Sequence, residues 1–141
     1  MLVSFFVAGQ PIPQPRPRVS TQGGFARAYV PRKHKVHKWQ RAIAAAWPQL
    51  DRVDGTLWVE LLFTMPRPKA ITRKRSANLR MWHATAPDVD NLVKAVLDAL
   101  NSTAWADDGQ IAQLTAAKRV AGDGDTPGAL ISIHALGDYT T

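Results

Sequence analysis

Residues 86–111 read APDVDNLVKAVLDALNSTAWADDGQI, and this stretch predicts a helix, a loop and the start of a strand. Pro87 disfavours the helical conformation at Ala86, which indicates a turn at these residues. A helix is predicted to follow over residues 89–101. The apolar residues recur at helical spacing on one stripe of that helix, which is therefore expected to pack by one face. They are Leu92, Val93, Val96, Leu97 and Leu100.

Acidic residues stand at both ends of this helix. At about 100° per residue, Asp90, Lys94 and Asp98 fall on one polar stripe, and Asp88 precedes the helix as a candidate N-cap. Asp107-Asp108 follows in a loop that leads into the next strand. One interpretation is purely structural, because acidic residues stabilise a helix N-terminus and Asp90–Lys94 is an ordinary i,i+4 pair. The second acidic pair favours a cation site.

The charge of the chain is divided between its two halves. Residues 1–83 hold 15 Lys and Arg against 3 Asp and Glu, whereas residues 84–141 hold 3 against 8. The formal net charge is +7. A basic surface beside an acidic cluster predicts a polyanion-binding protein with a hard divalent cation at its centre. A merely basic protein surface is the simpler alternative.

Composition limits the classes of protein to which the chain can belong. The 141 residues favour one domain, which we expect to span residues 1–141. Cysteine is absent, which excludes disulfides and thiolate metal sites. The sequence contains no run of eighteen apolar residues, so no membrane span is predicted. The N-terminus also lacks the basic region of a signal peptide. We therefore expect a cytoplasmic protein with no membrane partner.

The pattern of elements predicts an α/β fold of the α+β type, with helices packed in a second layer on a mixed sheet. Strands are expected at 2–8, 56–65, 111–120 and 129–136, with helices at 33–47 and 89–101, in the order β-α-β-α-β-β. Residues 25–30 form a possible short strand. Residues 10–18 are held extended by repeated prolines. Residues 70–80 are polar and basic, which indicates a short helix or an arm.

The acidic residues have the chemistry that Mg²⁺ prefers. This ion takes oxygen ligands, needs few carboxylates and keeps waters that can attack phosphorus. Two or three of Asp88, Asp90, Asp107 and Asp108 would suffice. Lys94 is placed to stabilise charge on phosphoryl oxygens or to orient the attacking water.

The combined motif resembles the signature of the RusA Holliday junction resolvases, which are crossover junction endodeoxyribonucleases. The similarity lies in Asp88-x-Asp90-Asn91-Leu92-x-Lys94 and in Trp105-x-Asp107-Asp108-x-Gln110-Ile111, and it extends to Arg16-Pro17-Arg18 and Lys118. The resemblance implies a Mg²⁺-dependent homodimer, in which Mn²⁺ is a possible substitute, that nicks two opposed strands of a four-way DNA junction during recombination and repair. Many relatives are encoded by phages or prophages.

The same resemblance assigns roles to individual residues. Asp88, Asp90 and Asp108 match the metal-binding aspartates, Lys94 matches the catalytic lysine, and Asp107 matches an acidic position of less certain role. One difference is that Pro13-Gln14-Pro15 stands where many relatives have Gly-Lys-Gly, so contacts of the N-terminal loop do not carry over.

Basic residues fall into two groups that predict contacts with DNA phosphates. The predicted DNA-binding residues are Arg16, Arg18, Arg27, Lys33, Arg67, Lys69, Arg73, Lys74, Arg75 and Lys118. Two other hypotheses stay open on the sequence: a nucleic-acid-binding protein without catalysis, and a Mg²⁺-dependent nuclease for another branched substrate or for RNA.

Overall fold

The computed structural model of the protein describes residues 1–69 and 81–139. A five-stranded sheet is formed by β1 (Val3–Ala8), β4 (Leu57–Met65), β5 (Met81–Trp82), β6 (Ile111–Val120) and β7 (Gly128–Ala135). Its strand order is β1-β7-β4-β6-β5. The strands β2 (Arg18–Ser20) and β3 (Arg27–Tyr29) form a separate two-stranded sheet, and the helices are α1 (Val36–Ala46) and α2 (Val89–Leu100).

The sheet is mixed, as the sequence predicts. β6 runs parallel to β4, whereas β7 is antiparallel to both β4 and β1. β5 is a two-residue strand that pairs antiparallel with the end of β6. Parallel neighbours need a long crossover, and here α2 lies within the crossover that joins β4 to β6. The expected α+β class and element order are confirmed. β3 lies within the possible short strand predicted at residues 25–30, and β2 and β5 are small additions.

Both helices cover one face of the sheet. Alternate residues of β4, including Val59, Leu61 and Phe63, are buried and share one hydrophobic cluster with the apolar stripes of the helices. Ile43 of α1 and Val96 of α2 are fully buried in this cluster. The period of two in the strand and the period of 3.6 in the helices are what such two-layer packing requires.

Helix α1 is shorter than the predicted 33–47. The ring Nδ1 of His34 accepts a 3.1 Å hydrogen bond from the N–H of Val36, so the helix starts after a turn. Trp47 is extended at ψ 129, because the following Pro48 disfavours the helical conformation. The predicted short helix or arm at 70–80 lies outside the described residues. No helix in the described ranges is long and apolar enough to cross a membrane.

Candidate active site

The first acidic pair lies where α2 begins. Asp88 is the N-cap residue and is extended, at φ −69 and ψ 142, but its carboxylate makes no capping hydrogen bond. Asp90 lies in the first turn, and its Oδ1 accepts a 2.9 Å bond from the N–H of Asn91. Both side chains are exposed. Two carboxylates thus stand together in the chain with most of their oxygen lone pairs available to a ligand.

Lys118 supports the loop that carries Asp88. Its Nζ donates to the carbonyl oxygens of Thr85 and Pro87, the latter at 2.6 Å. The carbonyl of Lys118 also accepts a 3.0 Å bond from the N–H of His83. The sequence predicts that Lys118 binds DNA, and this stays a prediction; in the structure its ammonium group bonds to the protein backbone beside Asp88. This arrangement fixes the approach of the chain to α2.

His83 lies beside the same lysine. Burial, and then the positive charge of Lys118, lower the pKa of His83 from its ordinary value of 6.5. Its Nδ1 is buried and has no hydrogen-bond partner within the described part of the chain. The neutral imidazole is therefore the form that this environment favours.

Lys94 is one turn further along α2 than Asp90. It forms an ion pair with Asp98, with Nζ and Oδ2 3.5 Å apart. The side chain of Lys94 is 63% exposed, so this pair is a weak surface contact. The sequence suggested a pair with Asp90, whereas the i,i+4 partner in the structure is on the C-terminal side.

The second acidic pair lies in a turn that precedes β6. Asp107 caps a short 3-10 helix, Asp108–Gln110, and its Oδ1 accepts a 3.3 Å bond from the N–H of Gly109. This capping bond uses one carboxylate oxygen of Asp107, an exposed side chain that the sequence predicts as a further possible metal ligand. Asp108 instead accepts a 2.6 Å bond at Oδ1 from the indole N–H of Trp105.

Gln110 ties this turn to the rest of the fold. Its Oε1 accepts from the N–H groups of Ala106 and Asp107, at 2.9 and 3.1 Å. Its Nε2 donates to the carbonyls of Val53 and Gly55, both at 3.0 Å. The turn that contains Asp108 is therefore held in place by four hydrogen bonds of the Gln110 side chain. The sequence showed the Gln but not these partners.

The two acidic pairs lie at opposite ends of α2. Asp88 precedes the first turn of α2. Asp108 lies three residues after Trp105, which forms an isolated β-bridge with Asn101, the residue that follows the last turn. A helix of 12 residues spans about 18 Å at 1.5 Å per residue. Across residues 1–69 and 81–139, no three His, Asp or Glu side chains are grouped closely enough to hold a metal ion. Within a single chain, over these described residues, Asp108 therefore does not lie close to Asp88 and Asp90.

A groove lies beside Asp88. It has a volume of about 360 Å³, and Ala86 and Pro87 form part of its wall. The proline-rich segment packs here, because the N–H of Gln14 donates a 2.9 Å bond to the carbonyl of Asn91 on α2. The remaining lining residues come from that segment and from the start of α1: Gln10, Pro11, Ile12, Pro13, Pro15, His34 and Lys35.

The predicted DNA-binding residues have different environments. The exposed ones are Arg16, Arg18, Arg27, Lys33 and Lys69. Arg67 is half-buried, and its Nη1 lies 3.5 Å from the carbonyl of Ala121. Arg73, Lys74 and Arg75 lie outside the described residues. The residues before β2 and those around β2 and β3 thus supply an exposed basic surface that begins at the groove beside Asp88.

Comparison with known proteins places the chain in a family. Residues 8–134 match the family model described as Endodeoxyribonuclease RusA. The chain is also similar to a Bacillus subtilis (strain 168) protein, "Uncharacterized protein YqaN", with 31% identity over 122 residues. That similarity covers 82% of this chain and 86% of the relative. The family match includes both acidic pairs, Lys94 and Lys118, and the chain belongs to the RusA endodeoxyribonuclease family.

Proposed function

We propose that this protein is a structure-selective endonuclease that resolves four-way DNA junctions by paired nicks, in recombination or repair. The observation that carries the proposal is the exposed pair Asp88 and Asp90 at the start of α2, beside a groove and a basic surface, in a chain of an endodeoxyribonuclease family. Phosphate contacts give affinity for any DNA, so the basic surface supports binding and the aspartates support hydrolysis.

The donor set fits Mg²⁺, and Mn²⁺ as its substitute. Asp88 makes no capping hydrogen bond and Asp90 keeps one carboxylate oxygen outside its bond to Asn91, so hard oxygen donors are available. Mg²⁺ needs one or two carboxylates together with waters and substrate phosphate, and carboxylates also suit Mn²⁺. When bound, such an ion supplies Lewis-acid polarisation of the phosphate and a more acidic water.

The side chains have separate roles in the proposed reaction. Asp88 and Asp90 would hold the cation, and Lys118 keeps their loop in place through the carbonyls of Thr85 and Pro87. Lys94 leaves its exposed partner Asp98 and stabilises the negative charge that develops on the scissile phosphate.

Its own chain holds Asp108 at the far end of α2 from Asp88 and Asp90. In this proposal, Asp108 therefore reaches the same cation from a second copy of the chain. A two-fold homodimer also matches a junction in which two opposed strands are cut. The proposed enzyme is therefore a homodimer with two equivalent sites.

The first experiment compares Asp90→Asn with Asp98→Asn. Both substitutions remove one carboxylate charge from an exposed position on α2. Cleavage of a four-way junction should be abolished by Asp90→Asn and largely kept by Asp98→Asn, while Asp90→Asn binds the junction at least as tightly as wild type. The assay uses a linear duplex, a flap and an immobile junction, with and without Mg²⁺.

The outcomes separate the alternatives. Wild-type rates for Asp90→Asn would show that the site is wrongly assigned. Binding with no Mg²⁺-dependent cleavage of any branched DNA would indicate a non-catalytic binding protein. Preferential cleavage of flaps would indicate a nuclease of another specificity.

A further inference from the structure

The hairpin formed by β2 and β3 is separate from the main sheet. Its strands pair only with each other among the described strands, with Arg18 opposite Tyr29 and Ser20 opposite Arg27. Isolated two-stranded hairpins are marginally stable in water, so a protein that keeps one exposed needs a reason to do so. The turn is made by Gly23 and Gly24, whose φ values of 83 and 82 favour glycine.

An aromatic side chain lies directly after this turn. Phe25 is 72% exposed, and Val19 on the hairpin is 69% exposed. A bare phenyl ring at a hairpin tip is unfavourable in water and contributes nothing to the core of the protein. The hairpin that carries Phe25 is cationic, since Arg18 and Arg27 project from the same hairpin face as Tyr29.

The cationic face is concave. A hollow of about 710 Å³ is lined by Ser20, Thr21, Gln22, Arg27, Tyr29 and Arg32. The guanidinium groups of Arg27 and Arg32, together with the hydroxyl groups that also line the hollow, are suited to bind phosphate oxygens. An apolar tip flanked by such groups matches the chemistry of a nucleic-acid strand, which has stacked bases inside and phosphates outside.

Both legs of the hairpin start next to the acidic pair. Before β2, Gln14 is bonded to the carbonyl of Asn91, and after β3, His34 and Lys35 line the groove together with Ala86 and Pro87. Four extended residue steps, from Gln14 to Arg18, reach at most about 13 Å at 3.3 Å per residue. The hairpin therefore begins close to the residue that is bonded to Asn91 at the start of α2.

We propose that this hairpin is a DNA-inserting arm, in which Phe25 stacks on bases at the branch point of a junction while Arg18 and Arg27 bind the flanking phosphates. The inference rests on the proposed function and deepens it. Phosphates are alike in a duplex and in a junction, so charge alone cannot select a branch. Bases at a branch point are more easily unstacked, and an apolar wedge gains contact only where they open.

The test uses a four-way junction with 2-aminopurine at the branch point, bound in EDTA so that it is not cut. Wild type should raise the fluorescence, because the base is unstacked. Phe25→Ala should lose most of that rise and bind the junction roughly tenfold more weakly, while its affinity for linear duplex stays unchanged. Phe25→Trp should restore both. Phe6→Ala is the matched control, because Phe6 is another exposed phenylalanine, on β1, at 45% exposure.

Each result decides one of the two proposals. If wild type binds and cuts the junction and Phe25→Ala gives the fluorescence and affinity of Phe6→Ala, the arm is overturned and the nuclease stands. If wild type neither prefers nor cuts any junction, the proposed function itself fails, and the arm fails with it.

Discussion

The indole N–H of Trp105 donates a 2.6 Å hydrogen bond to Oδ1 of Asp108, from a side chain that is completely buried. The core of the protein thus determines the orientation of an acidic group at its surface. One carboxylate oxygen is held by the indole, and the other is left for a second partner. In the proposed function Asp108 is a metal ligand, and removal of a residue that orients such a ligand typically changes metal affinity or activity by 10- to 100-fold.

Trp105→Phe should therefore weaken the response of cleavage to Mg²⁺. The substitution keeps an aromatic ring in the core and removes the donor to Asp108. We expect the Mg²⁺ concentration for half-maximal cleavage to rise about 10-fold or more. Trp47→Phe is the control, because the Trp47 indole donates to the carbonyl of Leu50 at 3.0 Å and is also buried. The same Mg²⁺ dependence in both variants would contradict a role for Trp105 at the site.

Asp107 and Asp108 should respond differently to the same substitution. The carboxylate of Asp107 caps its own turn through Gly109, and serine is also a good capping residue. Asp107→Ser should thus keep most of the cleavage rate and most of the thermal stability. Asp108→Ser should lose more than about a hundredfold in rate, beyond what is typical when a residue that merely orients a ligand is removed. An equal loss in both variants would make Asp107 a ligand as well.

Periodicity predicted most of the fold, because the elements concerned bury one face. The apolar stripe of α2 and the alternation along β4 require a two-layer packing, and the structure has it. β5 could not be predicted, since Met81–Trp82 is defined by its pairing with Arg119 and Val120 rather than by any local pattern. The alternation over residues 25–30 predicted a short strand where β3 lies, whereas β2 has only three residues, none of them buried, and was not predicted.

The motif identified the acidic residues but not their arrangement in space. Whether Asp108 returns to Asp88 depends on the direction of β6, and that direction is set by its parallel pairing with β4. Lys118 illustrates the same limit. The sequence predicts a DNA contact for Lys118, but it does not show that the ammonium group of Lys118 donates to two backbone carbonyls. Such contacts join residues that are far apart in the sequence, and no local pattern encodes them.

Lys118→Met should therefore act on catalysis rather than on binding. Loss of the bonds to Thr85 and Pro87 loosens the loop before Asp88, so the maximal cleavage rate should fall roughly tenfold, as for other residues that position a ligand. Junction affinity and its salt dependence should stay close to wild type. Lys33→Met removes an exposed lysine, and it should weaken binding to all DNA and reduce the salt slope by about 1.

The comparison of these two lysine variants is decisive, because both remove one positive charge. If Lys118→Met lowers affinity and the salt slope as Lys33→Met does, while the cleavage rate at saturation is unchanged, then Lys118 contacts phosphate and its bonds to the backbone give way to DNA.

Mixing two inactive variants should restore cleavage if the site is shared between subunits. In a dimer of Asp90→Asn with Asp108→Asn, one site contains both substitutions and the other contains neither. Random pairing makes half of the dimers mixed, so about a quarter of the wild-type number of sites should be intact. Nicking of a labelled junction measures this recovery, and native mass spectrometry measures the fraction of mixed dimers.

The control for this experiment mixes Asp90→Asn with a chain that carries both substitutions. No pairing of these two chains contains Asp90 and Asp108 in one site, so nicking should stay at the level of the separate variants. If the first mixture contains mixed dimers and still does not nick, Asp108 does not complete the partner's site. Its bond to Trp105 would then serve the stability of the turn before β6.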